Sequence, residues 1–279
     1  MSTSSNRPAT AADKASSLAQ LRARIDTIDE EIHRLLIERS SIIDSLIAVK
    51  NTKASGAAFR PAREADIMRR LVVRHKGTMP VTSLEHIWRE IISTFTWLQA
   101  PFSVYYHRSI PPTGMRDLAR YHFGFSVDAR ELESPSDVVD AVAASVSDLG
   151  LVGLTRFDAA QCWWADLNTG TGPEIIARLP FVTGSTAPDK VPALVISRPL
   201  NERVTPEILV YSASWTGTGG EIASVEQLAR HRDADRITAL FAIPADDGED
   251  GLRAAAAEAG LELEDIRHVG GYAAPIAGE

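Results

Sequence analysis

Cysteine is nearly absent from this sequence of 279 residues, in which Cys162 is the only one. An internal disulfide framework is therefore excluded, and the composition fits a reducing compartment. No apolar run is long enough to span a membrane. The first sixteen residues lack the apolar core of a signal peptide. We therefore expect a cytoplasmic protein in which residues 1–16 form a disordered tail.

Basic residues are fewer than acidic ones: the 29 Lys and Arg residues and 37 Asp and Glu residues give a formal net charge of −8. A nucleic-acid partner would require a basic face, so this balance argues against one. A small anionic substrate is still possible, since a local cluster of arginines is enough to bind it. The length is sufficient for two domains or one large one.

The most informative stretch runs from about Ser16 to about Thr52. Apolar residues recur there in steps of three and four, which predicts one long amphipathic helix packed against other helices. These residues are Leu18, Leu21, Ile25, Ile28, Ile32, Leu35, Ile42, Leu46 and Val49. Arg39 interrupts this apolar seam, and Lys50 lies within roughly 20° of the same helix face. Two inward-facing cations need an anionic partner, either internal acids or a bound ligand.

The length of this helix predicts a second subunit. At about 1.5 Å per residue it would extend roughly 55 Å, too far to bury its whole seam within a short domain. Arg22 would lie about 25 Å from Arg39 along the axis, so the two could not bind one small ligand within one chain. A two-fold dimer would bring the start of one helix to the middle of the other.

Two shorter helices are predicted to follow. The first begins near Pro61, whose missing N–H suits a first helical position, and Glu64 lies in its first turn, where an acid also suits the helix dipole. The second carries an apolar stripe that, continued by one turn, turns Gln99 inward. The stripe consists of Leu84, Ile87, Trp88, Ile91, Ile92 and Phe95. Together with Arg39 and Lys50, these inward polar residues are typical of a ligand site.

Residues 17–100 resemble the all-helical chorismate mutase family. The resemblance rests on Leu21-Arg22-x-x-Ile25-Asp26-x-x-Asp29, Glu38-Arg39, Lys50, Arg63-Glu64, and Ile91-Ile92 followed by Gln99. The phrase Phe59-Arg60-Pro61-Ala62-Arg63-Glu64 is similar to the form in bifunctional chorismate mutase/prephenate dehydratases. This resemblance implies an intertwined helical homodimer with shared active sites, chorismate as the substrate, and no metal or cofactor.

The resemblance also implies a role for each matched residue. Arg39 would bind a carboxylate of chorismate, helped by Arg22 of the partner subunit. Lys50 would contact a carboxylate and the ether oxygen whose bond breaks, and Gln99 would donate to the same oxygen. Glu64 would accept a hydrogen bond from the ring hydroxyl.

Three further positions complete the implied site. Arg63 would add to its cationic lining. Arg60 and Phe95 depart from the family pattern, which often has an Asp and a small hydroxyl residue there. The implied reaction is the pericyclic rearrangement of chorismate to prephenate, in phenylalanine and tyrosine biosynthesis. Fixed Arg and Lys donors suit it because they hold a flexible dianion in one conformation and stabilise charge on the ether oxygen.

From Pro101 onward, predicted strands and helices alternate, which indicates an α/β region. Pro199–Pro206 has the composition of a linker, so we expect one α/β domain over 101–200 and a small α/β module over 201–279. In that module we expect a helix around Val225–Leu228. The expected fold class is therefore a multidomain α and α/β protein.

The α/β region resembles a diverged prephenate dehydratase followed by an ACT-type module. Thr155-Arg156-Phe157 matches part of the dehydratase catalytic phrase, without the Asn before it or the apolar strand after it. The Gly217–Gly220 run is expected to open a helix, and because it lacks the Lys of a P-loop it is expected to be a flexible turn rather than a phosphate site. We predict a chorismate mutase whose end product is prephenate. The alternatives are a bifunctional mutase/dehydratase, an isochorismate pyruvate lyase, and a non-catalytic module that senses an aromatic-pathway metabolite.

Overall fold

The structure is a computed structural model that describes residues 11–50, 59–108, 114–154, 159–184, 191–200, 205–217 and 220–278. The chain divides into two compact units, Met1–Asn51 and Thr52–Glu279. The predicted order of helices first and an α/β region second is confirmed.

The first unit is a single helix, α1 (Ala11–Lys50). The predicted long helix is confirmed, although it begins earlier than Ser16, and its 40 residues extend about 60 Å at 1.5 Å per residue. The described residues of its apolar seam are between 38% and 57% exposed. They are Leu18, Leu21, Ile25, Ile28, Ile32, Leu35, Ile42 and Leu46. The seam is therefore an open apolar surface in a single copy of the chain.

The second unit starts with two helices, α2 (Pro61–Arg74) and α3 (Val81–Gln99), and Pro61 takes the first position of α2 as predicted. The predicted apolar stripe of α3 is confirmed in part. Ile92 is buried, and Leu84 and Trp88 are half-buried against the same cluster. Ile87 of the stripe is instead 44% exposed. The face that packs inward is mostly polar: Thr82, Glu85, Arg89, Ile92, Ser93 and Thr96. Two of its polar side chains have partners in the same unit: Arg89 Nη1 donates to Glu64, and Ser93 Oγ donates to the carbonyl of His122.

The α/β region follows, and its described residues form three more helices and two sheets. The elements are β1 (Ser103–His107), α4 (Gly114–Phe123), β2 (Asp128–Leu132), α5 (Pro135–Ala144), β3 (Leu149–Gly153), β4 (Glu174–Leu179), β5 (Val182–Thr183), β6 (Ala193–Ser197), β7 (Ile208–Thr216), β8 (Glu226–Asp233), β9 (Arg236–Pro244), α6 (Gly248–Glu258), β10 (Glu264–Tyr272) and β11 (Ile276–Ala277).

The main sheet has nine strands in the order β2-β1-β3-β6-β4-β10-β7-β9-β8, and β5 pairs with β11 separately. The strands β2, β1 and β3 run parallel and are joined through α4 and α5. The other pairs of the main sheet are antiparallel except β4 with β10, and the separate β5–β11 pair is parallel. Strands from both predicted segments, 101–200 and 201–279, share this sheet, so it runs through the predicted boundary. The division into separate domains stays a prediction.

Alternate residues of the central strands bury opposite faces of the sheet. Leu151 packs with α4 residues in one cluster, whereas Val152 packs with Val138 and Val142 of α5 in another. Gly150 allows α5 to approach closely, because a Cβ there would stand 2.7 Å from Val138 Cγ1. The core is therefore layered, with helices on both sides of the sheet.

Two local predictions are wrong. The segment around Val225–Leu228 leads into strand β8 rather than a helix, and no described helix begins directly after Gly217–Gly220. A register shift between Gln227 and Ala229 buries two consecutive residues, Leu228 and Ala229, which removes the alternation that marks a strand. The Thr155-Arg156-Phe157 phrase lies outside the described residues. Among the described helices, none has the length and hydropathy needed to cross a membrane.

Candidate functional site

The predicted cations of the first unit are spread along α1. Arg22 is exposed and Arg39 is half-buried. Their seventeen-residue separation on one continuous helix corresponds to about 25 Å along the axis. Lys50 is the last residue of α1, and its side chain lies outside the described part of the chain. One copy of α1 therefore does not bring Arg22 and Arg39 to the same small ligand.

Glu64, the predicted acid, has a partner that the sequence did not indicate. Its Oε2 accepts a hydrogen bond from Nη1 of Arg89 at 2.9 Å, and the two side chains are 10% and 3% exposed. Arg89 Nε lies 3.6 Å from Oε1 of Glu85. The Tyr121 hydroxyl is 3.2 Å from Oε2 of Glu85. One buried cation thus serves two buried acids between α2 and α3.

Burial governs the ionisation of this cluster. It raises the pKa of Glu64 to about 7, although the Arg89 charge acts in the opposite direction. Burial also raises the pKa of Glu85, against the Arg89 charge and the Tyr121 hydroxyl. The imidazole of His122 keeps a pKa well below its usual value because it is buried and faces Arg89. Burial therefore favours the neutral form of Glu64, and the Arg89 charge opposes it.

One feature of the sequence indicates that Arg89 and Glu85 could face inward. Both lie in a second row of α3 with helical spacing, formed by Thr82, Glu85, Arg89, Ser93 and Thr96. A row of small hydroxyl residues with an acid and a base four positions apart can pack inward once its charges are paired. The neighbouring row of α3 is more apolar, so the sequence pattern favours that row as the buried face.

Gln99, the predicted amide donor, is the last residue of α3 and is half-buried. Its Nε2 donates to the carbonyl of Phe95 at 2.9 Å. An amide nitrogen carries two N–H donors, so this bond engages one of them. Gln99 lines neither of the two cavities described below.

Arg60 and Arg63 line a cavity of about 660 Å³ in the second unit. Its walls come from the first turn of α2, the start of β4, the segment that leads into β7, and the end of β10. Glu64 lines a different space of about 20 Å³, together with Arg89 and His122. Pro61, Ile176 and Ala273 line both spaces, so the two predicted arginines and the predicted acid lie on adjoining spaces. The mutase roles of all seven residues stay predictions.

Two solved structures match part of the chain. A structure of GqqA, described as a novel type of quorum quenching acylase, covers 61% of this chain and 94% of its own, with a TM-score of 0.42 and 11% identity. A prephenate dehydratase from Streptococcus mutans covers 62% of this chain and 98% of its own, with a TM-score of 0.33 and 9% identity.

Several relatives match at the sequence level, each named a bifunctional chorismate mutase/prephenate dehydratase. The protein of Stutzerimonas stutzeri is 32% identical over 145 residues, which cover 50% of this chain and 39% of the relative. The protein of Aquifex aeolicus is 34% identical over 139 residues, which cover 48% of this chain and 38% of the relative. The chain thus matches well under half the length of these relatives.

A family model matches the helical segment directly. Residues 21–100 fit the family described as chorismate mutase type II. This stretch includes most of α1 and all of α2 and α3. The resemblance of the N-terminal helices to chorismate mutases, predicted from the sequence, is therefore confirmed over residues 21–100.

Proposed function

We propose that this protein is a chorismate mutase that rearranges chorismate to prephenate. The observation that carries the proposal is the match of residues 21–100 to the chorismate mutase type II family. The helical content of α1, α2 and α3 supports it, as do the relatives with a named mutase activity.

The reaction requires positioning and charge stabilisation rather than a nucleophile. Chorismate is a flexible dianion, and negative charge gathers on the ether oxygen as its bond breaks. Arg39 holds a carboxylate with a forked pair of N–H donors, which fixes its orientation. Lys50 and Gln99 donate to the ether oxygen and stabilise it in the transition state. Glu64 accepts a hydrogen bond from the ring hydroxyl.

The active form in this proposal is a homodimer with shared sites. The exposed seam of α1 supports it, because an apolar strip along a helix of about 60 Å is larger than soluble monomers usually leave open. A second copy packed along the seam covers it. In that arrangement Arg39 lies near Arg22 of the partner subunit. The two arginines can then bind one ligand together, although they are too far apart to do so within a single chain.

The test is to incubate the purified full chain with chorismate and identify the product by chromatography. Accumulation of prephenate at a rate above the spontaneous rearrangement supports the proposal. Unchanged chorismate at every protein concentration contradicts it. Release of pyruvate from isochorismate, with chorismate untouched, would indicate a lyase on the same helical segment instead.

A second candidate is a bifunctional mutase/dehydratase. It is favoured by one observation: the alignment to the Stutzerimonas stutzeri relative spans 145 residues, more than residues 21–100 supply. Under the leading proposal, prephenate added to the protein stays prephenate. Conversion to phenylpyruvate that is lost in Arg156→Ala would favour the bifunctional alternative.

A further inference from the structure

Arg89 is a buried charge to which the proposed rearrangement assigns no role. It lies on α3, and its side chain is 3% exposed. Its Nη1 donates to Oε2 of Glu64 on α2 at 2.9 Å. A buried guanidinium is costly unless it is paired, so the folded chain has to keep this contact. Arg89 therefore fixes the position of the Glu64 carboxylate.

The contact occupies one of the two oxygens of Glu64 and leaves the other open. Among the residues that the structure describes, Oε1 of Glu64 has no hydrogen-bond partner. An ionised carboxylate accepts hydrogen bonds at both oxygens. Oε1 can therefore accept a hydrogen bond from a hydroxyl group while Oε2 stays bound to Arg89.

Glu85 is a second acid beside the same guanidinium, but it depends on Arg89 less than Glu64 does. Its Oε1 lies 3.6 Å from Nε of Arg89, beyond hydrogen-bonding distance. Glu85 also has donors of its own, which are the Tyr121 hydroxyl at 3.2 Å and the backbone N–H of Val182. Arg89 is the one hydrogen-bond donor of Glu64 within the described ranges. Removing Arg89 therefore affects Glu64 first.

The other titratable and charged groups around Glu64 do not replace Arg89. They are Glu85 of α3, Tyr121 and His122 of α4, and Arg178 of β4. Burial and the Arg89 charge keep the pKa of His122 well below its usual value, so this imidazole carries no charge near neutral pH. The guanidinium of Arg178 is bound to Glu226 by hydrogen bonds of 2.6 and 2.7 Å. Of the described cations, Arg89 is thus the one that favours the ionised form of Glu64, against the burial that raises its pKa.

We propose that Arg89 is a positioning residue of the mutase site and acts through Glu64. It holds the Glu64 carboxylate as a fixed acceptor whose Oε1 is left for the ring hydroxyl of chorismate. Arg89 itself does not touch the substrate. This inference rests on the proposed function, from which it takes the role of Glu64, and it adds a residue that the sequence phrases resembling chorismate mutases do not contain.

The test follows kcat/KM for chorismate with the full chain from about pH 5 to 9, since this ratio reports the ionisation of the free enzyme. In the unmodified chain kcat/KM is expected to fall on the acid side as Glu64 takes up a proton. Loss of the Arg89 charge favours the protonated acid. The midpoint of the fall should then move up by about one pH unit or more, because a nearby opposite charge typically shifts a carboxyl pKa by about 1–3 units. Glu64→Gln has no acid to titrate and is expected to lose the fall.

The variants are chosen to limit the loss of stability. Arg89→Gln is made in a Glu85→Gln background, so that only one buried acid loses its cation, and circular dichroism checks its fold. Arg89→Lys keeps the charge but not the planar fork. It is expected to leave the midpoint in place and to lower the plateau of kcat/KM by about tenfold, because a misplaced acceptor costs rate. Arg70→Gln, which removes an exposed cation of α2 paired with Asp66, should change neither quantity.

Each result supports or overturns the role of Arg89. An unmoved midpoint in Arg89→Gln, or an equal shift in Arg70→Gln, would overturn it. An unchanged plateau in Arg89→Lys would do the same, and this variant decides the matter if Arg89→Gln does not fold. No turnover of chorismate by the unmodified chain would instead overturn the proposed function and the role of Arg89 with it, so the two failures are distinguishable.

Discussion

Arg89 of α3 donates a hydrogen bond to the carboxylate of Glu64 in α2 at 2.9 Å, inside the second unit. The same guanidinium lies 3.6 Å from Glu85. A single buried cation therefore pairs with one acid across the two helices and lies beside a second acid on its own helix. Such a group is costly to lose, because removing one partner leaves uncompensated buried charge or forces the acids to take up protons.

Replacement of Arg89 by Met is expected to destabilise the fold strongly. The variant leaves Glu64 and Glu85 buried without their cation, so we expect the free energy of unfolding to fall by about 3–5 kcal/mol at neutral pH. Urea titration followed by circular dichroism measures it. Arg70→Met is the matched control, because its ion pair with Asp66 is solvent-exposed and such pairs contribute about 0–1 kcal/mol. Equal, small losses in both variants would contradict the structural role of Arg89.

Glu64→Gln is expected to change how stability depends on pH. The pKa of Glu64 is about 7 in the fold, above the ordinary value expected after unfolding. The folded chain therefore binds the proton more tightly, and the contribution of Glu64 to stability falls as pH rises from about 4.5 to 7. The substituted glutamine does not titrate, so the free energy of unfolding of the variant does not show this decrease. Relative to the unmodified chain, it therefore rises by about 3 kcal/mol or less between about pH 4.5 and 7.

Urea titrations of both proteins at pH 5 and pH 8 check this prediction. Asp66→Asn serves as the control, because it changes an exposed carboxylate on the same helix and should not produce the trend. A difference between Glu64→Gln and the unmodified chain that is independent of pH, or that grows in the opposite direction, would show that the Arg89 charge outweighs burial.

Lys50→Ala is expected to lower chorismate turnover by roughly a hundredfold or more, which corresponds to about 3 kcal/mol of lost transition-state stabilisation. The reason is that Lys50 is proposed to face charge that grows on the ether oxygen. Steady-state kinetics with chorismate measures it. Arg34→Ala is the control, since Arg34 is an exposed residue of α1 paired with Glu38. Near-normal turnover of chorismate by Lys50→Ala would contradict the assignment of Lys50 to the mutase site.

The parts of the fold set by local pattern were predictable. The three- and four-residue spacing from Leu18 to Leu46 yields α1, and Pro61 marks the start of α2. Strand β8 was missed because Leu228 and Ala229 are buried side by side at a register shift. A local window cannot show that shift, since it depends on the pairing with β9.

The surroundings of the candidate site were less predictable, because they depend on contacts between distant residues. A sequence phrase indicates Arg60 and Arg63, but β10 forms part of the cavity wall, and the Gly270–Ile175 pair joins strands far apart in the chain. The partner of Glu64 was missed for a related reason. Arg89 lies beside an apolar row of α3 whose pattern is the stronger signal for a buried face. Its burial follows from the packing of α2 and α3 on each other, which the sequence pattern does not show.

The most direct test of a shared mutase site mixes two inactive variants, Arg22→Ala and Arg39→Ala. After refolding together, half of the dimers are mixed, and each mixed dimer has one site with both lesions and one with neither. We therefore expect chorismate turnover to recover to at most about a quarter of the unmodified value. The double variant mixed with either single variant should not recover. Absence of recovery, with a monomer in analytical ultracentrifugation, would contradict the shared site.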